Sequence, residues 1–102
     1  ITVQGAGDGV FNGIYEPSVA RNGRTSYVKE GSLDACVSPP CELPTIWFDV
    51  GGWKIDGAAG PGTHYWVPKP TQNPPWDGWT TIHGKSPAPT IFYGVVAPAL
   101  GH

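Results

Sequence analysis

Apolar and polar residues alternate with a period of two through Thr45–Asp56, which reads Thr-Ile-Trp-Phe-Asp-Val-Gly-Gly-Trp-Lys-Ile-Asp. In an extended chain Ile46 and Phe48 fall on one side, Trp47 and Asp49 on the other. Past the Gly51-Gly52 pair, Trp53 and Ile55 share a face opposite Lys54 and Asp56. The pattern predicts a hairpin with one large apolar face and one mixed face. A lone hairpin is marginal in water, so this apolar face requires further strands to cover it.

The rest of the chain offers them in short pieces. Ile1–Gln4 alternates and predicts a first strand, and Phe11–Tyr15 a second. Asn22-Gly23 is a two-residue turn signal between Tyr15–Ala20 and Arg24–Lys29, which predicts another hairpin. His64–Val67 predicts a strand with Tyr65 and Val67 on one face and His64 and Trp66 on the other, His64 lying on the outer face. Thr80–His83 and Thr90–Val96 complete the set. Between them lie Gly57–Gly62, without side chains for chemistry, and the four prolines of Pro68–Pro75, read as extended. The longest run free of both Gly and Pro is seven residues, at Arg24–Glu30 and again at Ser32–Ser38. Ordinary helices need about ten to twelve, so at most one helical turn fits, near Ser32–Ala35. The expectation is a single all-β domain over residues 1–102, with 1–96 as its body and 97–102 as a tail. It holds about six to eight short antiparallel strands, Gly/Pro-rich loops and little or no helix. A sandwich, a partly open barrel and a curved sheet all remain open.

Composition changes this picture in two ways. Gly 15 and Pro 12 make about a quarter of the chain, a share that by itself points toward disorder. Twelve per cent aromatics, with five Trp, and only 14% charged residues point back to a folded domain whose core leans on rings. The four Lys and two Arg are scattered and the net charge is −2, so no nucleic-acid footprint is present. No segment has the run of apolar residues expected of a membrane span.

Cys36 and Cys41 have four residues between them, including the turn-forming Pro39 and Pro40. A disulfide closing this loop is expected, which places the chain outside the cell, at the cell surface or in an oxidising organelle lumen. The chain starts at Ile1 and contains no Met, so processing from a longer precursor is expected.

Several stretches invite chemistry. Gly5-Ala6-Gly7 after a strand suggests a dinucleotide loop, but Val10 stands where the third Gly belongs and Asn12-Gly13 stops any helix. His64, His83, Ser86 and scattered Asp residues allow a triad to be drawn, yet no nucleophile elbow orders them. Cys36, Cys41, His64 and His83 lack zinc-finger spacing, with eighteen residues between the histidines. Asp49, Asp56 and Asp77 are carboxylates without a cleft to set their separation. No catalytic residue, metal ligand or cofactor is therefore assigned.

Two readings survive. Pro-rich segments beside aromatics, with weakly charged edge strands, suit a non-catalytic structural or interaction module that meets protein partners or copies of itself. The alternative is a small carbohydrate-binding module. It would use Trp76, Asp77 and Trp79 in the turn Trp76-Asp77-Gly78-Trp79, with Trp66 and Trp47 as further rings.

One resemblance bears on the choice. Asn12-Gly13-Ile14-Tyr15, Asn22-Gly23-Arg24 with Tyr27, Ile46-Trp47-Phe48 with Trp53-Lys54-Ile55, and Tyr65-Trp66 form a recurring pattern. It resembles uncharacterised Trp/Tyr/Gly-rich β modules, often repeated, in large algal and other protist proteins. The likeness covers about residues 5 to 67, and extends to Pro74–Pro89. It implies a scaffold or interaction module and carries no activity with it.

Overall fold

The computed structural model of the chain describes residues 1–7, 9–30, 44–57 and 63–93. Eight strands appear in it: β1 (Thr2–Gln4), β2 (Gly13–Arg21), β3 (Arg24–Lys29), β4 (Thr45–Asp49), β5 (Gly52–Asp56), β6 (Thr63–Val67), β7 (Thr80–Thr81) and β8 (Thr90–Phe92). All pair antiparallel in one sheet, in the order β7-β6-β5-β4-β3-β2-β1-β8. The fold is thus all-β: a meander whose last strand returns to lie beside its first, curled into a half-barrel.

The central hairpin behaves as its alternation predicts. Ile46 pairs with Ile55 and Phe48 with Trp53, and all four are buried. Their row continues to Tyr65 and Val67 on β6, both fully buried. Curling brings the far side of the sheet onto this face. Phe11 sits in a 3-10 turn (Gly9–Phe11) rather than at the start of a strand, and it meets Tyr65 edge-on at 5.6 Å and His64 at 4.7 Å. Val3, Tyr15 and Ile91 complete the floor of the core. Tyr15, buried, donates its phenol hydrogen to the Phe11 carbonyl at 2.7 Å.

The segment after β6 closes the mouth. Trp53 Nε1 donates to the Thr71 carbonyl at 3.1 Å, and Ile91 N donates to the Trp76 carbonyl at 2.9 Å. Tyr65 Oη donates to the Lys85 carbonyl at 2.7 Å and Gly7 N to the Pro87 carbonyl at 2.9 Å. The outermost strands are two and three residues long, and the outward amide of Ile91 is already taken. Short, occupied edges resist pairing with another sheet, so what the described edges offer for strand addition is small.

Local differences from the sequence expectations have clear causes. β2 runs unbroken through Pro17, because a bulge between Pro17 and Ala20 absorbs it. Ser26 caps that bulge by donating to the Val19 carbonyl at 2.6 Å. The central turn is Val50-Gly51 rather than Gly51-Gly52, since Asp49 pairs with Gly52. His64 is the main correction. It is buried at 3% exposure, not on the outer face. Ile55 pairs with Tyr65 but Asp56 with Thr63, so His64 is the extra residue of a bulge that breaks the period of two. The chain bends at Tyr93, so the expected strand Thr90–Val96 stops at Phe92; residues 94–96, the Ser32–Ala35 turn, the tail and the Cys36–Cys41 pair lie outside the described residues.

Candidate functional site

The outer face of the central hairpin carries a row of alternating rings and cations. Trp47 on β4 pairs with Lys54 on β5, and Lys54 pairs with Trp66 on β6. The Arg21 guanidinium lies 4.4 Å from the Trp47 ring centroid, and the Lys54 ammonium lies 5.4 Å from Trp47 and 5.9 Å from Trp66. Such contacts are worth about 0.5–1 kcal/mol each at exposed sites. Acids fix the row. Lys54 Nζ sits 2.9 Å from Asp49 Oδ2, and Trp47 Nε1 donates to Asp56 Oδ2 at 2.6 Å. Asp56 Oδ1 is buried with no hydrogen-bond donor among the described residues.

Along this row, from the Val50 turn to Thr63 at the far end of β6, runs an open groove of about 350 Å³ lined by Val50, Lys54, Thr63, Trp66 and Ile82. Gly52 makes room for it. A Cβ there would stand 2.5 Å from Trp66 Cη2 and from the Val67 carbonyl oxygen, so only glycine lets the indole lie across β5. Val50 and Ile82 are 82% and 46% exposed. Val50 also holds a φ of 50°, a left-handed conformation that β-branched residues avoid.

The residues singled out from the sequence are scattered over this architecture. Trp47 and Trp66 share the outer row, the Trp47 ring beside the Arg21 guanidinium and the Trp66 ring with the Lys54 ammonium at 5.9 Å. Trp79 belongs to the core, buried at 7% exposure with its indole donating to the Pro75 carbonyl at 2.9 Å. The bend at Gly78 (φ 85°) turns one indole of the Trp76–Trp79 pair inward and leaves the other out. Trp76 is 61% exposed, and Asp77 beside it stands 4.0 Å from Lys69. His83 and Ser86 are exposed, whereas His64 is inside. Among the described residues no cluster of three His, Cys, Asp or Glu forms a metal cage. No described helix is long and apolar enough to cross a membrane. A second, polar groove of about 430 Å³ lies over the β2 bulge, between Glu16, Pro17, Ser18, Val28, Lys29 and Glu30.

Sequence reasoning missed Val50 and Ile82. The signal for Val50 was present: Asn22-Gly23 shows what a two-residue turn of this kind wants, and Val50-Gly51 departs from it. Ile82 had no readable signal, because its place depends on the bend after β7. Comparisons with family models, with curated proteins and with solved structures return no match.

Proposed function

We propose that the domain is a non-catalytic interaction module of a larger assembly, and that it meets its partner at the groove of Val50, Lys54, Thr63, Trp66 and Ile82. One observation carries this reading. Val50 is exposed, β-branched and held at positive φ, a combination that costs of order 1–2 kcal/mol and gains nothing from the domain's own packing. Strain of that kind is kept where a side chain is presented to something else. Rings fixed on rigid strands and a groove with apolar walls suit a protein surface.

Light scattering on the particle purified undenatured from its natural source tests the reading. A mass well above the 10.8 kDa of one chain is the expected result. A monomer overturns it.

Carbohydrate binding is the second reading, and Trp76 is the observation that favours it, as the most exposed ring in the domain. Soluble glycans would then quench tryptophan fluorescence, and Trp76→Ala would abolish the response without unfolding the protein. An unchanged spectrum across a glycan panel removes this alternative.

A further inference from the structure

The groove at Val50 and Trp66 has a one-sided hydrogen-bonding character. Three of the five indoles spend their N–H inside the domain: Trp47 on Asp56, Trp53 on Thr71 and Trp79 on Pro75. Trp66 is different. Its indole N–H has no acceptor among the described residues, and its ring is a wall of the groove. Lys54, which shares the groove, gives one N–H to Asp49 and has ammonium donors to spare. Among the described lining side chains only the Thr63 hydroxyl can accept. The remaining walls, Val50 and Ile82, are aliphatic.

A site of donors and apolar walls selects its occupant by what that occupant lacks. An ordinary extended peptide brings one N–H per residue, more than the single hydroxyl acceptor among these side chains can pair. A proline-rich segment brings carbonyls and rings but few N–H groups, and it is already extended before it binds. Its carbonyls fit the Trp66 and Lys54 donors, and its rings fit the aliphatic walls. Sugars present hydroxyl donors as well, and they stack on open ring faces, whereas Trp66 shares its ring with the Lys54 ammonium at 5.9 Å.

We infer that this groove binds an extended proline-rich segment of a partner protein, an inference that rests on the interaction-module reading above. The chain's own exposed stretch, Pro68–Pro70, is a poor occupant for a neighbouring copy. Its Pro70 carbonyl already accepts from Arg24 at 3.3 Å, and Lys69 would meet Lys54 as a like charge.

The test is a titration of the ¹⁵N-labelled chain with a decaproline peptide, followed at the indole N–H signals, with a Gly-Ser peptide of equal length as control. Trp66→Phe identifies the Trp66 signal by its loss. Saturable movement of that signal with decaproline alone, leaving the buried Trp53 and Trp79 signals in place, is the expected result. Ile82→Ser and Trp66→Phe each weaken binding about three- to tenfold, the effect of one lost contact or hydrogen bond. Ile82→Ser is on an exposed side chain and keeps the test valid should the indole variant fold poorly. An unmoved Trp66 signal at saturating decaproline overturns the inference, as does equal movement with the Gly-Ser peptide or movement of Trp76 alone. Movement with protein concentration in the absence of peptide overturns it in favour of a second copy. A groove indifferent to decaproline in a chain whose native particle exceeds one chain in mass removes only the proline chemistry; indifference together with a monomer removes the interaction-module reading as well.

Discussion

Asn22-Gly23 and Val50-Gly51 close their hairpins with nearly the same backbone: φ of 56° and 82° in the first, 50° and 79° in the second. The first uses residues that enter the left-handed region at little cost, and Asn22 adds a hydrogen bond to the Phe48 carbonyl at 2.7 Å that ties it to the neighbouring hairpin. The second places a valine there, exposed and bonded to nothing, at the rim of a groove. One turn is built for the fold. The other gives up stability at a groove where a ring, a cation and aliphatic side chains meet at the surface.

The comparison breaks most sharply at the residue after each turn. Gly52→Ala drives a Cβ into the Val67 carbonyl and the Trp66 ring, so a loss of about 2–3 kcal/mol in urea unfolding is expected, together with a displaced Trp66 indole signal. Its counterpart Arg24 makes exposed hydrogen bonds to the Thr71 and Pro70 carbonyls and stacks 3.8 Å from the Phe48 ring. Arg24→Ala therefore costs less, about 1 kcal/mol by the same measurement. If the two losses are equal, the close approach at Gly52 is not what holds Trp66.

At the turns themselves, Asn22→Val copies the strain of Val50 into the first hairpin and removes the bond to Phe48. A loss of about 1–2 kcal/mol is expected from unfolding curves. A neutral result would mean that positive φ is cheap in this sheet, and that Val50 stores no strain to be kept for a partner.

Two phenols, Tyr15 on β2 of the first hairpin and Tyr93 just after β8, give the fold a pH dependence. Burial pushes the Tyr15 phenol far above its ordinary value of 10, with Tyr65 adding to the shift. Burial, then Tyr27, raises Tyr93 to about 12. Unfolded phenols ionise near pH 10 while these stay protonated in the fold, so stability is full below about pH 10 and falls above it. Tyr15→Phe should lower stability at neutral pH by about 1 kcal/mol, by orphaning the Phe11 carbonyl, and should flatten the alkaline fall. A fall of unchanged steepness in Tyr15→Phe would place its origin elsewhere.

The same contrast explains what could be read from the sequence. Ile46, Phe48, Trp53 and Ile55 showed their common face because a period of two is a local property of a strand. The β2–β3 hairpin showed itself through Asn22-Gly23 for the same reason. His64 did not, because a bulge is set by the register of β6 against β5 and leaves no mark in the spacing. The five indoles could be counted but not sorted: Trp76 and Trp79 are three positions apart on one bend, and only the packing of β8 and Pro75 decides which points inward. The groove was illegible for a similar reason. It joins a turn, two strands and the bend at Ile82, which meet only once the sheet has curled.

Urea unfolding of Val50→Asn tests most directly whether Val50 is held in its turn for a partner rather than for the fold. Asparagine tolerates the left-handed turn, as the first hairpin of the same chain demonstrates, so the variant should be more stable than the natural sequence by about 1 kcal/mol with an unchanged m-value. A variant that is equally stable or less stable would mean that Val50 serves the fold after all, and that its exposed side chain is no evidence of a partner.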